Sequence, residues 1–435
     1  MEWECFTSSK RVSVMKLPEF LKGNALVMTV CECIWRSTVD IVVPFVSLYV
    51  LELGGNYQTI GFIMSGASLA SMILYPLGGY IADYQGRIKL IGYMTFMYAF
   101  AFLVTGLGES WQWLALGMFM QNLTTFYWPA IQALMADSIP PGQRGLGFAT
   151  VEAIPAAFGL IAPLTGAWLI GLLGMRTAMR GLYFSAFIIA SGLALFRLRF
   201  LKETIANPQQ LDLSPKGIAR LVADSYRGVF TTLSGITREL WVLSLLVTAL
   251  VFSASFASSF WVIRATKVIG LSLPEWATVI MASGVVGVLL GIPAGRLIDR
   301  LSKRLVAAVC IILGAALSFL FLSATSFSEV LILALIAATV DAFLNPSLKS
   351  LFADLTPRSV RGRAMALVGG GGLNLMRNVF AGSILAKVFL TIGSFLSGYV
   401  YSLDSSLPWL ILSGAMLIIG TCFILFVRDP VEPEI

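Results

Sequence analysis

The chain has 435 residues, of which 57% are hydrophobic and 12% charged, with a net charge of +7, five cysteines and no histidine. Average soluble domains are roughly 25% charged, so this composition excludes a water-soluble enzyme or nucleic-acid-binding domain. The lack of histidine excludes a His-based metal site or proton relay.

Apolar runs of about 20 residues bounded by charge, Gly or Pro mark membrane helices. They predict an all-α integral membrane protein of twelve transmembrane spans, near 24–52, 58–81, 90–107, 112–136, 147–173, 179–196, 241–266, 275–295, 305–325, 329–353, 364–389 and 407–427. Residues 1–23 lack a signal-peptide apolar region, so span 1 is expected to be retained. Cys31, Cys33, Cys310 and Cys422 fall inside apolar runs and Cys5 near the N-terminus, which implies no disulfide framework.

Span 1 carries Glu32, Arg36 and Asp40 at i, i+4 and i+8, one stripe on one helical face. A charge at the membrane centre costs about 2.5–3.5 kcal/mol on insertion scales, so the stripe must face protein or a wet cavity. Two acids around one arginine leave one acid without a partner, which points to a proton or cation site, with a structural ladder as the alternative. Trp35 lies beside the stripe. Span 2 ends in Gly79-Tyr-Ile-Ala-Asp83-Tyr-Gln-Gly86-Arg87-Ile-Lys89, where glycines permit a tight reversal and Asp83 can receive amides from a neighbouring helix N-terminus.

Span 4 holds Gln121 and Asn122, then Phe126, Tyr127 and Trp128, and ends at Asp137, followed by Arg144. Glu152 enters span 5 two turns from its start, as a gate residue, a second protonation site or a structural acid; Gly159 and Ala162-Pro163-Leu-Thr-Gly166-Ala167 follow. Residues 197–240 divide an N-terminal half (1–196) from a C-terminal half (241–435). The linker begins polar and turn-rich. It then places Ile218, Leu221, Val222, Val229, Phe230 and Leu233 near helical spacing among Lys216, Arg220 and Arg227, which predicts a basic amphipathic helix on the inner leaflet.

Span 7 contributes Phe256, Ser258, Phe260 and Trp261. The loop after span 8 reads Gly295-Arg-Leu-Ile-Asp299-Arg-Leu-Ser-Lys303-Arg304, span 10 carries Asp341, Asn345 and Lys349, and Asp354 precedes Arg361. Arg377, flanked by Asn374 and Asn378, falls near the middle of span 11, where an ion pair with Asp341 is expected. Arg264 and Lys387 are expected to snorkel to the outer surface. The predicted cavity wall is aromatic and amide-rich: Trp35, Gln121, Asn122, Tyr127, Trp128, Ser258 and Trp261, with Asn345, Asn374, Arg377 and Asn378. Such a wall beside a net negative set of intramembrane charges suits a neutral or cationic amphipathic solute, and it fits a sugar as well.

The chain repeats itself. Pro129, Leu134, Ala136, Asp137, Pro140, Arg144 and Gly145 recur 217 residues later as Pro346, Leu351, Ala353, Asp354, Pro357, Arg361 and Gly362, and Gly79/Asp83/Arg87 recur after 216 as Gly295/Asp299/Lys303. Parallel repeats of six spans are a transporter pattern. With both termini inside, 22 of the 30 Lys and Arg lie in segments on the inner side, which predicts a cell-membrane protein with cytoplasmic termini.

The 79–89 loop resembles the signature G-x-x-x-D-x-x-G-R-x-K/R of the Major Facilitator Superfamily. The 295–304 loop resembles its second-half copy, with Ser302 in place of Gly86, and Asp137-x6-Arg144 and Asp354-x6-Arg361 are similar to the acidic-x6-Arg motif of many members. The resemblance covers essentially the whole chain. It implies two pseudo-symmetric six-helix bundles rocking about a cavity lined by spans 1, 4, 7 and 10. It also implies a conformational gate of Gly79, Asp83, Arg87, Asp137, Arg144, Gly295, Asp299, Lys303, Asp354 and Arg361, whose acids and basic residues pair across the cytoplasmic face when the cavity opens outward and separate when it opens inward. The 159–167 stretch weakly resembles the G-P-x-x-G-G motif of drug/proton antiporters, with alanine at two glycine positions. Glu32 and Asp40, eight residues apart, are likewise similar to acid pairs in some multidrug antiporters.

The expected activity is proton-coupled efflux of small amphipathic compounds, with an importer or facilitator of sugars or other metabolites as the alternative, and a transport-inactive sensor as a remote one. The proton-coupling candidates are Glu32, Arg36, Asp40, Asp341 and Glu152. Expected partners are a small-molecule substrate, protons and the bilayer, without nucleic acid, metal or cofactor, and the expected unit is a monomer.

Overall fold

The structure is a computed structural model that describes residues 18–84, 86–205, 214, 217, 221–223, 225–226, 236–356 and 361–428. Most residues of the predicted linker amphipathic helix, including Lys216, Ile218, Arg220, Arg227, Val229, Phe230 and Leu233, lie outside the described residues, as do the side chains of Asp83 and Arg361 and the surroundings of Gly79.

Span 1 comprises Asn24–Asp40 and Val46–Glu52, offset at 41–45 where Pro44 has no amide to donate. Spans 2 and 3 are Tyr57–Tyr84 and Arg87–Leu107. Span 4 is Trp111–Thr124 and Trp128–Ser138 around a tight turn at Thr125–Tyr127, and span 5 is Arg144–Gly159 and Ala162–Leu173. Span 6 runs Met175–Phe200. Arg238–Ser258, extended through Val268, is span 7; Leu273–Ile298, Lys303–Leu320 and Phe327–Asp354 are spans 8 to 10, and Leu407–Phe426 is span 12. Among the described residues, eleven of the twelve spans include a helix long and apolar enough to cross a bilayer. Span 4, two helices of 14 and 11 residues around the turn at 125–127, is the exception, because Gln112, Gln121 and Asn122 make it less apolar than the others.

Span 11 departs from the expected uninterrupted helix over 364–389. It begins as Arg361–Val368, breaks into a hairpin of β1 (Gly371–Asn374) and β2 (Asn378–Ala381), and resumes as Ile384–Leu403. Gly369–Gly372 explain the break, since each glycine inside a helix costs about 1 kcal/mol relative to alanine. Non-helical backbone at this depth needs protein or a wet cavity beside it. Asn345 supplies part of that, its Nδ2 donating to Leu373 O at 3.1 Å and Asn374 Oδ1 at 3.2 Å, while the Gly382 amide donates to Gly370 O at 2.7 Å. The close approach is why position 382 is glycine: a Cβ there would lie 2.4 Å from Gly370 O. Ser383 then caps the resumed helix by accepting from the Ala386 amide.

The two halves meet through spans 2 and 11 and spans 5 and 8. Gly61 and Gly398 let spans 2 and 11 touch backbone to backbone, since a Cβ on Gly398 would stand 2.3 Å from Tyr57 O and one on Gly61 2.7 Å from Ser394 O. Tyr57, Phe260 and Tyr401 close the same end, with Phe260 stacked on Tyr401 at 4.4 Å between ring centroids. These contacts belong to the far face, the one bearing the 53–56 and 404–406 turns. On the opposite, linker face, where spans 6 and 7 join the 201–237 segment, the halves diverge.

Candidate transport site

Between the halves lie two connected chambers. One of about 510 Å³, toward the far face, is lined by Asn122, Ser258, Trp261 and Lys387; one of about 850 Å³ reaches the linker face past Glu152, Gly295, Arg296 and Asp299. Arg36, Asp40, Asn374 and Arg377 line both and form the waist. Span 5 approaches that waist through glycine: a Cβ on Gly159 would lie 2.8 Å from Asp40 Oδ2, and one on Gly166 2.3 Å from Ile41 O at the span 1 offset. The weak helix-5 motif therefore has a packing explanation in this chain.

The charges pair differently from the sequence expectation. Arg36 holds Asp40 at 3.2 Å, but Glu32 turns away from Arg36 and meets Arg197 of span 6 at 2.9 Å. Arg197 is 1% exposed, donates also to Thr95 Oγ1 at 2.9 Å, and lies 6.0 Å from the Trp35 ring centroid. Reading Arg197 as a linker residue missed it. Helical spacing carried the signal, because Arg197 shares the buried face of Ala186, Ala190, Leu193 and Ala194. The stripe of span 1 is thus two ion pairs without a surplus acid.

Asp341 and Arg377 do not form the expected ion pair. Arg377 sits in the turn of the span 11 hairpin, exposed to the cavity and without a salt bridge among the described residues. Asp341 lines the larger chamber, with Oδ1 buried and unpartnered among the described residues. Glu152 is exposed on that chamber's wall. Lys387 and Arg264 do not snorkel. Lys387 is buried, with Nζ donating to Ser71 Oγ at 3.0 Å, and buried Arg264 donates to Leu322 O at 2.9 Å and Ser405 O at 3.3 Å, over the Trp409 ring. With Arg197, Lys387 and Arg264 inside the protein, the set is no longer net negative: four acids (Glu32, Asp40, Glu152, Asp341) stand against five cations (Arg36, Arg197, Arg264, Arg377 and Lys387).

Of the expected wall residues, Asn122, Ser258, Trp261, Asn374, Arg377 and Asn378 face the cavity. Trp35 is instead packed inside the N-terminal half at 4.9 Å from Tyr98, and Tyr127 and Gln121 are buried there. Trp128 is exposed on the surface, outside both chambers. Asn345 stands behind the hairpin and supports it, as the Asn374–Asn378 bond of 2.7 Å does across the turn.

Among the described residues the loop charges pair within each half, not between halves. Arg87 bonds Asp137 and reaches Thr204 Oγ1 at 2.9 Å; its counterpart Lys303 bonds Asp354 at 2.5 Å. Arg144 donates to Ala136 O at 3.1 Å, and Asp299 is exposed at the chamber rim. Glu203, just beyond span 6, accepts from the Ile88 amide at 3.2 Å and so places a carboxylate at the N-terminus of span 3. Burial pushes the Glu203 carboxyl up, but the amides of Ile88, Arg87, Thr204 and Ile205 outweigh this and hold it below the usual carboxylate range.

The sequence profile of the Major Facilitator Superfamily matches residues 28–381 and, in an overlapping match, 288–435. Multidrug resistance protein 2 of Bacillus subtilis (strain 168) is 21% identical over 385 residues, 88% of this chain and 89% of that protein. Multidrug resistance protein MdtG of Klebsiella pneumoniae (strain 342) is 25% identical over 341 residues, 74% of this chain and 77% of that protein. Among solved structures, a bacterial homologue of the human lysosomal transporter Spinster, inward-facing and unoccupied, superposes with a TM-score of 0.65 at 14% identity, covering 93% of this chain and 94% of that one.

Proposed function

Because this chain belongs to the Major Facilitator Superfamily of membrane transporters, we propose that it exports small amphipathic organic compounds across the cell membrane in exchange for protons, acting as a monomer with its linker face in the cytoplasm. The observation that carries this reading is the pair of chambers between the halves, reaching the linker face past Glu152 and Asp299, while spans 2 and 11 meet backbone to backbone at the far face. The state described is then inward-open. The basic loops support the orientation, and the relatives named as multidrug resistance proteins support efflux.

Proton exchange rests on Asp341. Asp40 is bound by Arg36 and Glu32 by Arg197, whereas Asp341 has no salt bridge among the described residues: the Leu375 amide donates to its carboxylate, and Oδ1 is left without a donor. A buried unpaired charge is costly, and both an incoming proton and a cationic substrate group relieve that cost. The two therefore compete for one carboxyl, which is the requirement for antiport. Rocking of the halves about the waist would expose Asp341 to each side in turn.

Reconstitution into liposomes containing a pH dye tests this. Substrate-dependent proton movement opposite to the substrate, lost in Asp341→Asn, is the expected result; proton movement in the same direction as the substrate would make the protein a symporter.

A further inference from the structure

The cavity is electrically polar along its length. Arg36, Asp40 and Arg377 belong to both chambers and make up the waist. Beyond them, the far chamber adds one charged side chain, Lys387, and the linker-side chamber adds Glu152, Asp341 and Asp299 against Arg296. Positive charge therefore lies on one side of the waist and excess negative charge on the other. The cationic end is built into the fold. Lys387 lies in the first turn of the resumed span 11 helix, Ile384–Leu403, and is held to Ser71 of span 2 at 3.0 Å. The hairpin delivers Arg377 to the waist between Asn374 and Asn378.

Resting on the exporter reading above, we infer that the substrates of this site are amphipathic zwitterions, with a carboxylate directed to Lys387 and Arg377 and a protonated amine directed to Asp341. Each end does separate work. The carboxylate receives charge-assisted hydrogen bonds from Lys387 and Arg377, which are stronger than neutral ones. The amine displaces the proton from Asp341 and so preserves the competition that antiport needs. The apolar body of the molecule crosses the waist beside Pro163 and Ile280, which line both chambers. A purely anionic compound would leave Asp341 without its partner, and a purely cationic one would place nothing of opposite charge beside Arg377.

The test is a charge series on one frame, measured as equilibrium binding to the purified full-length protein: 6-(aminomethyl)-2-naphthoate (zwitterion), 6-(aminomethyl)-2-naphthamide (cation), 6-methyl-2-naphthoate (anion) and 6-methyl-2-naphthamide (neutral). The zwitterion is expected to bind about tenfold or more tightly than either singly charged probe, the scale of one charge-assisted contact. In Lys387→Gln the zwitterion-to-cation preference should fall to near one, and in Asp341→Asn the zwitterion-to-anion preference should do so. Equal binding of cation and zwitterion by the parent protein, or no binding of any probe, overturns the inference, and neither result depends on a variant folding. Transport in the same liposomes separates the two readings: proton exchange driven equally by the cation sinks the zwitterion assignment alone, while selective zwitterion binding without proton movement sinks the antiporter alone.

Discussion

Arg197, 1% exposed in span 6, donates to Glu32 of span 1 at 2.9 Å, and this bond ties the first and last helices of the N-terminal half together. The same guanidinium holds Thr95 of span 3, so three helices share one buried cation. It also withdraws Glu32 from the cavity, leaving the waist to Arg36, Asp40 and Arg377.

That pair should show strong non-additivity. Arg197→Met leaves Glu32 unpaired in a largely buried place, a change that commonly costs about 3–5 kcal/mol, whereas Glu32→Gln combined with Arg197→Met should be much milder. Thermal unfolding of the four proteins gives the coupling directly; additive losses would mean that the ion pair is not a stabilising unit.

Closure of the far face should depend on Gly398. A valine there meets Tyr57 O and the Gln58 backbone, neither of which can yield cheaply. Gly398→Val should hold spans 2 and 11 apart and shift the population toward far-face-open. In a background without the five native cysteines, Ser47→Cys on the chamber wall should then react faster with a membrane-impermeant thiol reagent applied from the far side. Unchanged labelling would place the seal elsewhere.

Coupling should reside in Asp341 rather than in the span 1 acids. Asp341→Asn is expected to abolish pH-gradient-driven transport while substrate exchange across symmetrical solutions continues. Glu32→Gln should lower stability and leave coupling in place, because Arg197 already neutralises Glu32. Gradient-driven transport that persists in Asp341→Asn would return the search to Asp40 and Glu152.

The linker edge of span 3 should be acid-sensitive through Glu203. Its folded carboxyl titrates below the ordinary range, so the stabilisation it provides is complete above the unfolded value, about pH 4.3 for glutamate, and is lost as pH falls through the lower folded value. The protection of the Ile88 amide, its exchange rate relative to an unfolded chain at the same pH, should be high at neutral pH and fall only in stronger acid, and Glu203→Gln should lose that protection at neutral pH. Equal protection in mutant and parent would remove Glu203 as the cap.

The twelve spans, the two like halves and the loop motifs were legible in the sequence because each depends on local quantities: apolar run length, breakers and the recurrence of Asp137/Arg144 as Asp354/Arg361. Membrane insertion reads these one segment at a time. The cavity-facing positions of Asn122, Ser258 and Arg377 were legible for the same reason, as polar residues at mid-span that must avoid lipid.

Partnership was decided only by tertiary structure. Glu32 has Arg36 four residues away, yet it pairs with Arg197, 165 positions distant, because packing of spans 1 and 6 brings a fully buried guanidinium to it and that group has the greater desolvation cost to offset. Trp35, Tyr127 and Lys387 moved for a related reason: which face of a helix meets the cavity depends on its neighbours, not on its own composition. The glycine run at 369–372 announced a weak helix, but its conversion to a hairpin required the amide of Asn345 on another span to satisfy the freed backbone. Sequence thus determined what lies in the membrane and in what order, while contacts between helices decided how the buried charges are paired.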